Sequence, residues 1–248
     1  MEFSPGLSTD ILRLINKNHT SNNDMQKVGI IGFDEMSISN LMSYYPKRDQ
    51  ILGPFKKVQV LSVRGLFGQW KYPVFYDFDT KMTISLLLQT IKKLHDTGLV
   101  IKGDYLYLIQ VGIHPINYSY YAGIVCDNAT DNQKLWKDLG ICVDDEHNVI
   151  SSFYHPVTGE NVWAFSDFPH LMKLLRNKVI DNGFTLPYQE KLKGSDFHQL
   201  WKMDSGETKI CYKLTEKHVT CQNKERMRVN KAFELFSHTV ATAIHHLE

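Results

Sequence analysis

Two aspartates follow short apolar runs that are typical of buried β-strands. Asp34 ends the segment Val28-Gly-Ile-Ile-Gly-Phe-Asp34, and Asp127 ends Ala122-Gly-Ile-Val-Cys-Asp127. A carboxylate at the end of a buried strand is costly to desolvate unless a cation meets it, and Mg²⁺ or Mn²⁺ prefers such oxygen ligands. An aspartate that only opens a turn or caps a helix gives the same local pattern. The pair predicts a divalent-metal site, with turn formation as the alternative.

Composition sets broad limits on the class of protein. The chain has 248 residues, is 43% hydrophobic and carries a net charge of +1, which suits a globular core and argues against a polybasic nucleic-acid coat. Its four cysteines lack CxxC zinc spacing, and no signal peptide or apolar run of about 18 residues is present. We therefore expect reduced thiols, an intracellular protein and no membrane partner.

Hydrophobic periodicity predicts the order of the helices and strands. A helix capped by Ser8 or Thr9 and a polar linker occupy residues 1–26. The order that follows is β-β-β-α-β-α-β-α, at 27–33, 58–67, 73–78, 83–96, 122–126, 129–139, 162–165 and 169–180. With acids ending the first and fourth strands, this order predicts an α/β, RNase H-like mixed sheet in which those two strands are neighbours.

The last part of the chain has a different pattern. The sequence predicts a domain boundary after Gly183, a polar and irregular segment at 188–222, and one helix at 226–247 with an apolar stripe that needs a partner surface. Residues 184–248 would thus form a separate, mainly helical and incomplete module.

Several sequence blocks, in order, resemble one family. The chain resembles the P-element transposases, including the transposase-like part of THAP-domain proteins. The matching blocks are Gly32-Phe-Asp34-Glu-Met-Ser-Ile38, Val63-Arg-Gly-Leu-Phe-Gly-Gln-Trp-Lys71, Pro73-Val-Phe-Tyr-Asp-Phe-Asp79, Cys126-Asp-Asn-Ala-Thr-Asp-Asn132, Phe165-Ser-Asp-Phe-Pro-His-Leu-Met-Lys-Leu-Leu-Arg-Asn177, Met227-Arg-Val-Asn-Lys-Ala232 and Phe236-Ser-His-Thr-Val240.

The resemblance implies cut-and-paste DNA transposition by a nuclear enzyme with three catalytic acids and two Mg²⁺ or Mn²⁺ ions. Asp34 and Asp127 match the first two acids, and the partners implied are transposon DNA ends, with a homo-oligomer left open. In the family, an insertion that binds GTP precedes the third acid, and no residue here is assigned that role; Glu234 lies in a segment that matches the insertion. We expect the chain alone to be inactive. The alternative is a domesticated, non-catalytic remnant that binds protein partners or dimerises.

Two departures from the family pattern qualify this resemblance. No Cys-x₂₋₄-Cys module precedes Asp34, so sequence-specific DNA recognition of the THAP type is not expected from this chain. Residues 101–121 interrupt what would otherwise be a continuous strand before Asp127. A lineage-specific loop and a retained intron both fit this interruption. If a strand within it replaced the native strand, the acid pair would be broken.

Four polar residues after the last predicted strand are further candidates. Asp167 and His170 flank Pro169, either as a pair adjacent to phosphate or metal, or as a helix N-cap with a packed histidine. Lys173 and Arg176, three positions apart, either contact the DNA backbone or lie on an ordinary solvent-exposed face.

Overall fold

The computed structural model describes residues 5–20, 24–45, 49–101, 105–109, 116–120, 123–186, 191–205 and 208–246. The chain divides into two compact units, Met1–Ser166 and Asp167–Glu248. The boundary predicted from the sequence lies later, after Gly183, so the helix predicted at 169–180 belongs to the second unit. Each unit has its own hydrophobic cluster.

The first unit is built around a seven-stranded sheet. Its strands lie in the order β1-β4-β3-β2-β7-β11-β10. Their bounds are β1 (Gly6–Leu7), β2 (Gly29–Tyr45), β3 (Gln50–Gly65), β4 (Lys71–Phe78), β7 (Gly123–Cys126), β10 (Ser152–Tyr154) and β11 (Asn161–Ser166). The strands β2, β7 and β11 run parallel to one another, and the outer pairs are antiparallel.

Three helices of this unit, the first, third and fourth, bury apolar residues in one core cluster with the sheet. Leu87, Ile91 and Leu94 of the third helix share one buried cluster with Ile31 and Ile124 of the sheet. The first and third helices begin at the predicted caps, where Ser8 and Thr83 accept hydrogen bonds from the third residue beyond them. The helices are α1 (Thr9–His19), α2 (Asp24–Lys27), α3 (Ile84–Asp96) and α4 (Thr130–Asp138).

The structure has the predicted α/β architecture, a mixed sheet with helices packed against it. The strands that bear Asp34 and Asp127 are neighbours, as predicted. At the edges, the structure adds β1 on one side and β10 on the other. The first two predicted strands, 27–33 and 58–67, are too short: β2 continues to Tyr45 and β3 begins at Gln50, so Asp34 lies within a long hairpin and not at the end of a strand. The sequence analysis assigned the N-terminal helix to a segment that precedes the sheet, residues 1–26. In the structure, Ile11, Leu12 and Ile15 of this helix pack into the main core.

The interruption at 101–121 leaves the register of the sheet intact. Val100 forms a parallel bridge with Val28, and farther along Ile124 pairs with Ile31. Three positions separate Val28 from Ile31 on β2, whereas twenty-four separate their partners, Val100 and Ile124. The chain therefore has twenty-one residues more at this point than a continuous strand paired with β2 would need. Within them, β5 (Tyr105–Ile109) and β6 (Ile116–Tyr120) pair only with each other among the described strands.

A close approach of two strands follows the interruption. Gly123 begins β7 and pairs with Trp163 of β11. A Cβ atom added at Gly123 would lie 1.9 Å from the carbonyl oxygen of Trp163, which no side chain can tolerate. Glycine at this position therefore allows β7 to lie between β2 and β11.

The second unit is mainly helical. Its elements are α5 (Phe168–Asn182), β12 (Phe184–Thr185), β13 (Lys191–Leu192), α6 (Gly194–Met203), α7 (Glu216–Thr220), a 3₁₀ helix (Asn223–Met227), α8 (Val229–Leu235) and α9 (His238–His245). Residues 142–143 and 149–150 of the first unit form a small separate hairpin, β8 with β9. None of the described helices is long and apolar enough to cross a membrane.

Two predictions for the second unit are wrong. The segment 188–222 is not irregular, because α6 and α7 lie in it and bury Phe197, Leu200 and Val219; its residues 188–190 and 206–207 lie outside the described part. The single helix predicted at 226–247 is instead a 3₁₀ turn and two helices. Ser237 starts the second of them, its hydroxyl accepting a hydrogen bond from the Val240 N–H.

Arg176 is fully buried in the second unit, so both sequence interpretations of it as a surface residue are wrong. Its Nη2 donates to the carbonyl oxygen of Glu225 at 2.7 Å, and its Nη1 donates to that of Arg228 at 3.3 Å. These bonds tie α5 to the segment between α7 and α8. Arg176 therefore holds the helices of this unit together and presents no charge to solvent.

Deleting residues 102–122 would join Ile101 to Gly123 without changing the pairing of β2 with β7. We expect the free energy of unfolding to change by no more than about 1 kcal/mol, because loop length has only a logarithmic cost. Deleting 102–121, one residue fewer, would shift the strand by one position and turn Ile124 and Cys126 out of the core. That variant should lose more than about 2 kcal/mol in urea unfolding; equal stability of both deletions would contradict the register.

Replacing Arg176 with methionine should destabilise the second unit by about 2–3 kcal/mol, because the charged hydrogen bonds from the guanidinium to the carbonyl groups of Glu225 and Arg228 would be lost. Lys178→Met, at an exposed position on the same helix, is the matched control and should change little. Urea unfolding of the full chain measures both. Equal stability of the two variants would show that the buried guanidinium contributes nothing net.

Candidate active site on two neighbouring parallel strands

The pairing of β2 with β7 positions the two predicted acids. Ile31 pairs with Ile124 and Gly32 with Val125 in parallel register. Side chains alternate across a strand, and Ile31, Phe33, Ile124 and Cys126 all point into the core. Continuing the register by two residues places Asp34 beside Asp127, both on the face of the sheet opposite that core.

The thiol of Cys126 reports the nearness of both carboxylates. The pKa of Cys126 is raised to about 12, mainly by burial and in smaller part by the negative charges of Asp127 and Asp34. Cys126 precedes Asp127 in sequence, but ninety-two positions separate it from Asp34. The two acids therefore act electrostatically on one point of the sheet, as their register requires.

Asp34 is exposed and is held through its own strand. Its Oδ1 accepts the Glu35 N–H at 2.8 Å, and its backbone carbonyl accepts a hydrogen bond from the Gln59 side chain at 3.0 Å. Gln59 is only 4% exposed and lies on the adjacent strand β3. A buried amide on the core side thus fixes the backbone from which the Asp34 carboxylate projects.

Asp127 is half-buried and opens the turn into α4. Its Oδ1 accepts the Ala129 N–H at 3.0 Å and the Asn132 side-chain amide at 2.7 Å. Through its Oδ1, Asp127 therefore does form a turn, as the alternative interpretation of the sequence predicted. A carboxylate has a second oxygen and four lone-pair positions, so the turn bonds leave capacity for a cation.

Charged residues near the strand end form ion pairs of their own. Glu35 points to the opposite side of β2 from Asp34, and its carboxylate pairs with Lys57. This hydrogen bond and the Glu35 charge raise the pKa of Lys57. Lys81 pairs with Asp131 in the first turn of α4 at 2.9 Å. These lysines thus already have carboxylate partners.

The donor set suits a hard divalent ion but is incomplete. Two carboxylates offer the oxygen ligands that Mg²⁺ and Mn²⁺ prefer, and the exposure of Asp34 leaves room for the waters that Mg²⁺ retains. Across the described residues, no group of three or more histidines, cysteines or acidic residues could hold a metal. The structure therefore brings together two acids and assigns no third.

The other predicted site residues all belong to the second unit. Asp167 occupies the N-cap position of α5, and its side chain makes no capping hydrogen bond there. His170 and Lys173 are half-buried on the same helix. The sequence analysis did not take Glu234 as the third acid. Its carboxylate accepts a hydrogen bond from Nε2 of the buried His218 at 2.8 Å.

Sequence reasoning missed two residues that support the acids, Gln59 and Asn132. Asn132 lies five positions after Asp127, in a segment interpreted as a matching block and as the start of a helix. The polar run Asp-Asn-Ala-Thr-Asp-Asn was the signal that could have identified Asn132 as a partner of Asp127. Gln59 carried no signal, because its role depends on the pairing of two strands twenty-five residues apart.

Comparison with known proteins agrees with this architecture. Residues 3–103 match the family model described as TNP-like, RNase H N-terminal domain, and residues 169–248 match TNP-like, GTP-binding insertion domain. The chain is 33% identical over 222 residues to the Transposable element P transposase of Drosophila melanogaster. It superposes over its whole length on a chain of the Drosophila P element transposase strand transfer complex, with a TM-score of 0.83 and 29% identity. The chain belongs to the P element transposase family.

The chain is also similar to human DNA transposase THAP9, with 21% identity over 266 aligned positions. The alignments cover 89% and 98% of this chain but only 26% and 27% of the Drosophila and human proteins. The chain likewise covers 50% of the solved Drosophila chain. It thus spans about a quarter of the length of the curated relatives.

Proposed function

We propose that this chain carries part of the catalytic core of a cut-and-paste DNA transposase, with Asp34 and Asp127 as ligands of Mg²⁺ or Mn²⁺. One observation carries the proposal: β2 and β7 pair in parallel, and their register, continued by two residues, sets Asp34 within β2 beside Asp127 just after β7, on the same face of the sheet. Membership in the P element transposase family supports it. Its substrate would be the phosphodiester backbone of transposon DNA ends, and its site of action the nucleus.

The residues of this chain would act by fixing negative charge where a phosphate must be handled. Bound metal ions would supply Lewis-acid stabilisation of the scissile phosphate and of the attacking oxygen. Asp34 is held by the β2–β3 pairing, and Asp127 is held by the turn before α4. Both carboxylates would therefore hold the metal ions in a fixed position. Because rigid ligands need no reorganisation during the reaction, this placement favours catalysis.

We further propose that the second unit binds a guanine nucleotide, on the strength of its match to the GTP-binding insertion domain. The chain has no GxxxxGK[ST] phosphate loop, so the contacts would come from another arrangement. A fluorescent GTP analogue should bind the full chain, as measured by fluorescence anisotropy. GTP should displace the analogue, and ATP should not. Equal displacement by both, or no binding, would contradict this assignment.

Titration with Mn²⁺ or Mg²⁺ tests the acid pair directly. At a concentration about a hundredfold above Kd, the metal should raise the melting temperature by on the order of 5 °C. Asp34→Asn and Asp127→Asn should each abolish most of this rise, and the double variant should lose no more, because the acids form one site.

Asp138→Asn is the matched control, since Asp138 is an exposed aspartate at the end of α4 in the same unit. It should keep the full metal response. If wild type, both site variants and the control respond equally, the catalytic proposal fails and the non-catalytic remnant remains.

A further inference from the structure

Asn132 donates the shorter of the two described hydrogen bonds to the Asp127 carboxylate. It lies in the first turn of α4, and its Nδ2 donates to Asp127 Oδ1 at 2.7 Å. The amide must present its NH₂ group here, because an ionised carboxylate only accepts. The same Oδ1 accepts the Ala129 N–H at 3.0 Å, so two donors hold one oxygen of Asp127.

The turn that carries Asp127 is fixed independently of Asn132. The Asn128 side-chain oxygen accepts a hydrogen bond from the Ser166 hydroxyl at 3.0 Å, which ties the turn to the end of β11. The Asn128 carbonyl accepts a hydrogen bond from Gln133 at 2.8 Å, which ties it to α4. Loss of the Asn132 amide would therefore leave the path of the backbone in place and free the carboxylate to rotate.

We propose that Asn132 is a positioning residue for the divalent-metal site, an inference that rests on the proposed function of Asp34 and Asp127. Its amide engages Oδ1 of Asp127 and restricts rotation of the carboxylate, so that the cation meets it in one orientation. Outer partners of metal ligands commonly change metal affinity by roughly 10- to 100-fold when they are removed. Asn132 fits this role because its bond is to the ligand itself and not to the backbone.

The test measures the Mn²⁺ dissociation constant of the full chain by electron paramagnetic resonance, together with the melting temperature without metal. Asn132→Ala should weaken Mn²⁺ binding roughly 10-fold or more, with a metal-free melting temperature close to that of Lys134→Ala. Lys134 is exposed on the same helix and serves as the matched control. Asn132→Gln, which keeps an amide donor, should recover part of the lost affinity.

Gln133→Ala separates positioning from support of the turn, because Gln133 binds the Asn128 carbonyl and not Asp127. If Asn132→Ala and Gln133→Ala lower metal affinity and metal-free stability in parallel, Asn132 is only structural and the inference fails. Unchanged Mn²⁺ affinity in Asn132→Ala, with binding still lost in Asp34→Asn and Asp127→Asn, would overturn the inference alone. Mn²⁺ binding insensitive to both aspartate variants would overturn the proposed function as well.

Discussion

The parallel pairing of β2 with β7 is the constraint on which the candidate site depends. It buries Ile31 and Ile124 on one face and, by strand alternation, sends Asp34 and Asp127 to the other. A slip of one residue would exchange the two faces, placing carboxylates in the core and apolar side chains at the site. The same hydrophobic burial that stabilises the sheet therefore also fixes where its charges lie.

This coupling explains how an insertion can be accommodated so near the site. Val100 pairs with Val28 and Ile124 pairs with Ile31, both in parallel, so the extra residues between them do not alter the side of the sheet that faces the core. Gly123, at the point of re-entry, permits the close contact with Trp163 of β11. The length of the additional segment adds little to the free-energy cost of closing it, so the fit of its two ends to the sheet matters more.

Local patterns were enough to predict most of the first unit. The apolar runs and the helix cap at Ser8 are properties of neighbouring residues, and each appears in the structure. That β2, which carries Asp34, and β7, which precedes Asp127, are neighbours also followed from the order of the strands. The supporting contacts did not follow, because the role of Gln59 exists only once β2 and β3 are paired.

The second unit shows where local patterns fail. Arg176 reads as a surface cation, yet its partners are carbonyl groups about fifty positions later, which no spacing rule connects to it. The apolar stripe of the last segment continues through Ser237, and the hydroxyl cap that divides it into two helices is a weaker signal than the stripe. Short helices in a polar segment are likewise stabilised by tertiary burial and not by their own periodicity.

The electrostatics of the strand ends bear on what the acid pair can hold. Two carboxylates on neighbouring strands repel each other, and this repulsion is relieved most effectively by a cation shared between them. Lys57 and Lys81 are engaged by Glu35 and Asp131, while the hydrogen bonds to Asp127 Oδ1 come from neutral donors. Neutral donors orient a carboxylate without cancelling its charge. An aspartate held in this way keeps its attraction for an external cation, which a lysine or arginine partner would have reduced.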